Sequence, residues 1–157
     1  MVITKIWSLE ILDSRGTPTL KTYVELDNGV VGWAAIPSGA STGTYEAHEL
    51  RDKDPKRFAG KGVLQAKHNV EVVINDLLQN REIADQETID RVMIEADGTE
   101  NKSRFGANAI LSVSLACARA AALAENKELY QYLGSFFNST SSILPVPLIN
   151  IINGGKH

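Results

Sequence analysis

The sequence predicts an α+β fold, because strand-type periodicity is confined to roughly the first forty residues and helix-type periodicity follows it. A third observation bounds the domain. After the polar stretch 138–142, a nearly continuous apolar run begins that matches neither pattern.

The strands come first. Residues 3–12 are rich in β-branched and aromatic side chains and form the first expected strand. The turn Asp13-Ser14-Arg15-Gly16-Thr17-Pro18 leads into 19–27, where Leu20, Thr22, Val24 and Leu26 alternate with Lys21, Tyr23, Glu25 and Asp27. That period of two fits a half-buried strand. Asn28-Gly29 then predicts a type I′ hairpin turn, with positive φ at both positions. Residues 30–36 return as a strand until Pro37 removes a ladder donor. The expected sheet is a three-stranded antiparallel meander.

About four helices follow. Val63, Ala66, Val70, Val73, Ile74 and Leu77 recur at helical spacing. Asp85 is the expected N-cap of a short helix carrying Ile89, Val92, Met93 and Ala96, which Gly98 ends. Residues 107–125 are Ala-rich nearly all round, which predicts a central buried helix approached closely by other backbone. Leu129, Leu133, Phe136 and Phe137 form the expected apolar stripe of the last helix. Residues 1–137 therefore make one domain.

The remainder, 138–157, reads as a linker and a new element. Leu144-Pro145-Val146-Pro147-Leu148-Ile149-Asn150-Ile151-Ile152 suggests a strand buried on both faces, as in a parallel sheet or barrel. One such strand cannot form a sheet alone. The expectation is the first strand of a truncated α/β barrel domain.

Composition narrows the function classes. Of 157 residues, 43% are hydrophobic and 22% charged, with 16 basic against 19 acidic residues and a net charge of −3. No block of like charge stands out, so the expectation is neither nucleic-acid nor membrane binding. The start Met1-Val2-Ile3-Thr4-Lys5 lacks the succession of a signal peptide, and the apolar runs at 110–124 and 143–152 are interrupted and not expected to span a membrane. Cys117 is alone, which excludes an internal disulfide and fits a cytoplasmic setting; amid alanines it reads as a buried, inert thiol rather than a nucleophile.

Two segments carry candidate chemistry. Pro37-Ser38-Gly39-Ala40-Ser41-Thr42-Gly43-Thr44-Tyr45 combines glycines with hydroxyls. Such a loop can move and bring hydroxyl or backbone oxygens to a hard cation or phosphate, or it is only a flexible surface loop. It lacks the Gly-Lys-Ser/Thr ending of a Walker loop. Asn153-Gly154-Gly155-Lys156-His157 places a histidine at a strand end, able to hold a phosphate or share a proton, or simply solvated. His48 and His68 have no metal-ligand spacing and read as surface residues. Arg15 is either a turn residue in an ion-pair network or an anion contact. The carboxylates are scattered, without a paired pattern.

Several strings together resemble a known family. Asp13-Ser14-Arg15-Gly16-Thr17-Pro18-Thr19, Pro37-Ser38-Gly39-Ala40-Ser41-Thr42-Gly43, Glu49-Leu50-Arg51-Asp52 and Gly60-Lys61-Gly62-Val63 resemble the start of enolases (phosphopyruvate hydratases). So do Asp97-Gly98-Thr99-Glu100-Asn101-Lys102, Phe105-Gly106-Ala107-Asn108-Ala109-Ile110-Leu111, Leu144-Pro145-Val146-Pro147 and Asn150-Ile151-Ile152-Asn153-Gly154-Gly155. They run collinearly along the whole chain.

The resemblance implies a glycolytic lyase that interconverts 2-phosphoglycerate and phosphoenolpyruvate with two Mg²⁺ ions, by proton abstraction α to a carboxylate and loss of hydroxide. By motif position, Ser41 ligates the second Mg²⁺ with its hydroxyl and carbonyl oxygens. Ser38, Gly39, Ala40, Thr42 and Gly43 belong with it to a closing lid loop, and His157 contacts substrate. The family's base lysine, acid glutamate and three carboxylates for the first Mg²⁺ lie beyond residue 157, so the chain alone is expected to be inactive. The full-length parent is expected to be a homo-oligomer. Its usual contact is altered here, because Leu9 stands where the family often has arginine and Lys21 where it often has glutamate. Thr17 replaces a common asparagine. The alternative reading is a short, non-catalytic binding or scaffold module derived from an enolase.

Overall fold

The computed structural model describes residues 1–39, 43–137 and 143–152. Strands β1 (Ile3–Leu12), β2 (Pro18–Leu26) and β3 (Val31–Ala35) form an antiparallel sheet in that order. Alternation holds from Leu20 onward in β2, where Leu20, Thr22, Val24 and Leu26 are buried, as are Ile6 and Ser8 of β1 and Ala34 of β3, while Pro18 and Thr19 at the start of β2 are both buried. A register shift between Ile3 and Lys5 turns Ile3 to the same inner face as Ile6, although they lie three apart.

The β2–β3 turn differs from the type I′ expectation. Gly29 has positive φ (81°), whereas Asn28 does not. The Gly29 N–H donates to Leu26 O (2.9 Å) and the Leu26 N–H to Val30 O (2.9 Å). This is the three-residue hairpin loop in which a glycine in the left-handed region follows the turn. Asp27 is held out of a two-residue turn by Val2, whose carbonyl accepts the Asp27 N–H (3.0 Å) and whose N–H donates to Asp27 Oδ1 (3.1 Å).

Helix α1 runs through α-helical turns at Leu64–His68, a π segment at Asn69–Ile74 and α-helical turns at Asn75–Leu78. The wider π turns bring residues four apart into line. Val70, Ile74 and Leu78 are therefore fully buried, while Val73 turns outward and Leu77 is only half-buried, contrary to the stripe expected from the sequence. The same widening serves the outer edge of β1. Asn75 Oδ1 accepts from the Ile6 N–H (2.7 Å), Glu71 Oε1 from the Ser8 N–H (3.3 Å), and Arg81 O from the Ile3 N–H (3.0 Å).

Helix α2 (Gln86–Asp97) begins at Asp85, whose Oδ1 accepts from the Thr88 N–H (3.0 Å), and ends at Gly98 with φ 69°. Helix α3 (Ala107–Ala124) lies across β2 and β3. A Cβ at Gly32 would sit 2.3 Å from the backbone nitrogen of Ala120, so small residues on both sides set this close approach. Thr22 Oγ1 donates to Ser112 Oγ (2.7 Å), which donates to Ala109 O (2.9 Å). By length and composition α3 could cross a membrane, but 61% of it is buried within the domain, as befits a core helix.

Helix α4 (Leu129–Ser135) docks through Tyr132, which is buried, rather than through the expected stripe. Leu129 packs partly against the core, but Leu133, Phe136 and Phe137 are exposed. The Tyr132 and Phe136 rings meet in a T-shaped pair with centroids 5.0 Å apart. Residues 143–152 form neither helix nor strand, and all are exposed. No strand is seen over the run expected to open the barrel.

Candidate functional site

The candidate site is the base of the loop that follows β3. The β1–β2 turn supplies one wall. Asp13 Oδ1 accepts the N–H groups of Arg15 and Thr17 (2.8 Å each), and Gly16 closes the turn at φ 74° with its N–H on Asp13 O (3.0 Å). The Thr17 amide, helped by Arg15, holds the Asp13 carboxyl below its ordinary range. Arg15 Nη2 reaches Asp13 Oδ2 (3.0 Å) and also donates to Ser38 O (2.7 Å).

Arg51 supplies the second hold. Its Nη1 donates to Pro18 O and Lys61 O, and its Nη2 to Ser38 Oγ and Glu49 Oε1, each at 2.6 Å. Ser38 is thus held at its carbonyl by Arg15 and at its hydroxyl by Arg51. A cleft of about 450 Å³ opens here, lined by Arg15, Thr17, Ser38, Glu49, Arg51 and Lys61.

The chain beyond the loop is pinned as well. The Glu46 N–H donates to Gly43 O (3.3 Å), and Tyr45 projects fully into solvent. His48 donates its N–H to Asn101 O (2.7 Å), and its carbonyl accepts from Ala107 N–H (2.8 Å). The Asn108 amide exchanges two 3.0 Å hydrogen bonds with the backbone of Leu50. The start of α3 therefore positions 48–50, and with them Glu49 and Arg51.

A second charged cluster joins β1 to the chain before α1. Glu10 pairs with Arg57 through both carboxylate oxygens and accepts the Val63 N–H (2.8 Å). The hydrogen bond from Arg57 comes first in holding the Glu10 carboxyl below its usual range, outweighing burial. Asp52 accepts from Leu64 N–H (2.9 Å) and Gln65 N–H (2.8 Å), capping α1 from a distant position.

Of the residues singled out in the sequence, Ser38 and Gly39 stand at one end of the loop and Gly43 at the other. Ala40, Ser41, Thr42 and His157 lie outside the described residues. Arg15 takes its ion-pair role. Cys117 is buried, and burial pushes its thiol up, away from reactivity. Leu9 and Lys21 face each other across β1 and β2, with Lys21 Nζ 3.9 Å above the Trp33 ring. The roles of Arg51, Glu49 and Lys61 were not anticipated; the only signal was alternating charge at Glu49 and Arg51 in a loop.

Asp13 and Glu49, the carboxylates beside Ser38, are each paired with a guanidinium. Among the described residues no group of three or more His, Cys, Asp or Glu could hold a metal ion. The described residues on their own do not fit a Mg²⁺ site; they are arranged to hold Ser38.

A family model described as "Enolase, N-terminal domain" matches residues 3–133 of this chain. The chain belongs to the enolase family. The matched stretch of the enolase N-terminal domain takes in the whole sheet, α1 to α3 and most of α4, and with them Arg15, Ser38 and Arg51. Over 157 residues the chain is 55% identical to a protein named enolase from Legionella pneumophila (strain Lens), and the match covers 100% of this chain and 36% of that enolase. The chain thus spans about a third of the length of that curated relative.

Proposed function

We propose that this chain is the N-terminal portion of a glycolytic, cytoplasmic enolase and serves the interconversion of 2-phosphoglycerate and phosphoenolpyruvate. The observation that carries the proposal is the double hold on Ser38 by Arg15 and Arg51, within a chain of this family. A loop fixed so firmly at its base can swing without moving the domain that bears it. In this reading 38–43 is the lid, Ser41 offers its hydroxyl and carbonyl oxygens to one of two magnesium ions, and His157 contacts substrate. Magnesium, when bound, would stabilise the negative charge that develops as the α-proton leaves. The remaining ligands, the base lysine and the acid glutamate belong to the part of the enolase beyond residue 157. Residues 1–137 are the domain, 138–157 lead into the barrel, and the 157-residue chain alone does not catalyse the reaction.

The test is a chimera. Replacing the corresponding N-terminal segment of the Legionella enolase with these 157 residues should preserve dehydration of 2-phosphoglycerate, and Ser41→Ala in the chimera should weaken binding of the substrate-dependent magnesium more than the other. A folded chimera without activity would overturn the reading, as would phosphoenolpyruvate formation by the purified chain alone.

A further inference from the structure

We propose that Asn108, at the start of α3, is a positioning residue for the reaction: it sets Leu50, and through Leu50 the Arg51 guanidinium that holds Ser38. The inference deepens the enolase reading, and its effect on turnover rests on that reading.

Asn108 breaks a local rule. Asparagine is a poor helix former, because its side chain competes for nearby backbone groups. Here it is the second residue of α3, and no side chain caps that end of the helix. Its amide serves a residue far away in the chain instead. Asn108 Oδ1 accepts the Leu50 N–H, and Nδ2 donates to Leu50 O, both at 3.0 Å. One side-chain amide thus satisfies both backbone groups of one residue, as a neighbouring strand would. Asn108 itself is only 5% exposed. Gly106 makes room for the arrangement: a Cβ there would stand 2.4 Å from Asn108 Oδ1 and 2.5 Å from Leu50 Cβ.

Arg51 is sensitive to where Leu50 lies. Its side chain is 17% exposed, against 48% for Arg15. Its four 2.6 Å hydrogen bonds reach Pro18 O, Lys61 O, Ser38 Oγ and Glu49 Oε1. A rigid, planar guanidinium meets four acceptors at once only from one position. On one flank of Arg51, the Asp52 N–H donates to Gly62 O (2.8 Å), beside the Lys61 carbonyl that Arg51 already holds. That tie lets the two short segments shift together. On the other flank, Asn108 ties Leu50 to α3, the helix packed on β2 and β3. The backbone bond between His48 and Ala107 helps, but it lies further from Arg51. Ser38 stands shortly after β3. Asn108 therefore refers Arg51 to the same sheet and helix that carry Ser38.

Two measurements test this. In the 157-residue chain, nitrogen NMR reads the exchange of the Arg51 guanidinium protons with water. Asn108→Asp keeps the size of the side chain but sets a carboxylate oxygen against Leu50 O, and should speed that exchange about tenfold or more. Asn75→Ala removes a buried hydrogen bond at β1 and should leave it unchanged. Equal effects of the two variants would mean general loosening and would overturn the proposal. In the chimera with the Legionella enolase, Asn108→Asp and Arg51→Lys should each lower kcat for 2-phosphoglycerate about tenfold or more. The double variant should fall little below either single one, because both act on one contact. Losses that multiply would overturn the proposal, since Asn108 would then act by a route other than Arg51. So would an unchanged kcat with a lowered unfolding temperature, the mark of a purely structural residue. Asn108→Ala removes both bonds without adding charge and takes the place of Asn108→Asp if that variant does not fold. An unmutated chimera without activity would overturn the enolase reading, and the NMR result would then decide the role of Asn108.

Discussion

At Gly32 the sheet and α3 approach so closely that one methyl group has no room. The nearest atoms to an added Cβ are the Ala120 nitrogen at 2.3 Å and Cα at 2.6 Å, both backbone, so no side chain can rotate away. Gly32→Ala must push the helix off the sheet and should cost about 1–3 kcal/mol, or more, in denaturant unfolding. Glu10 acts at the same scale through charge. Its carboxyl is held below the ordinary value of 4.5, first by the hydrogen bond from Arg57. A depressed folded-state value means that the paired carboxylate stabilises the fold above about pH 4.5, and that this contribution disappears as pH falls through the lower folded value. Glu10→Gln should therefore flatten the dependence of unfolding free energy on pH in that acid range, while lowering stability at neutral pH. An unchanged acid slope would show that the Glu10–Arg57 pair is not the titrating link.

Among the elements, α1 depends most on a detail of its winding. The π segment Asn69–Ile74 aligns Glu71 and Asn75 with the edge of β1. Asn75→Ala leaves the Ile6 N–H without its 2.7 Å acceptor and should cost about 1–3 kcal/mol, with faster amide exchange at Ile6. This element also shows where sequence reading ends. The strands were legible because one face of the sheet is covered and the other is wet, which prints a period of two on β2. Helices α2 and α3 were legible from the Asp85 and Gly98 signals and from a run of alanines. The π segment was not, because the ordinary three-and-four spacing assigned Val73 to the buried face. In α4 the stripe Leu129, Leu133, Phe136 and Phe137 leaves out Tyr132, the buried residue of that helix. The loop at Ser38 could be recognised by composition, but its clamp could not. The Arg51 partners are at Pro18, Ser38, Glu49 and Lys61, positions brought together only by the completed fold.

For the whole molecule, stability resides in the sheet and the helices packed on it, and residues 143–152 are exposed. Removing 138–157 should change the unfolding free energy of the monomer by no more than about 0.5 kcal/mol, the scale of an ordinary surface change. Calorimetry at low concentration would check it; a large loss would mean the domain extends past residue 137. The order of elements has a consequence during synthesis. The sheet is complete once Ala35 has been made, yet α3, which covers β2 and β3, ends roughly ninety residues later at Ala124. At about 5–20 residues per second, ribosomes need on the order of ten seconds to close that interval. Throughout it the nascent chain carries Leu20, Val24 and Ala34 without their cover, a window in which a holding chaperone would find its binding surface already formed.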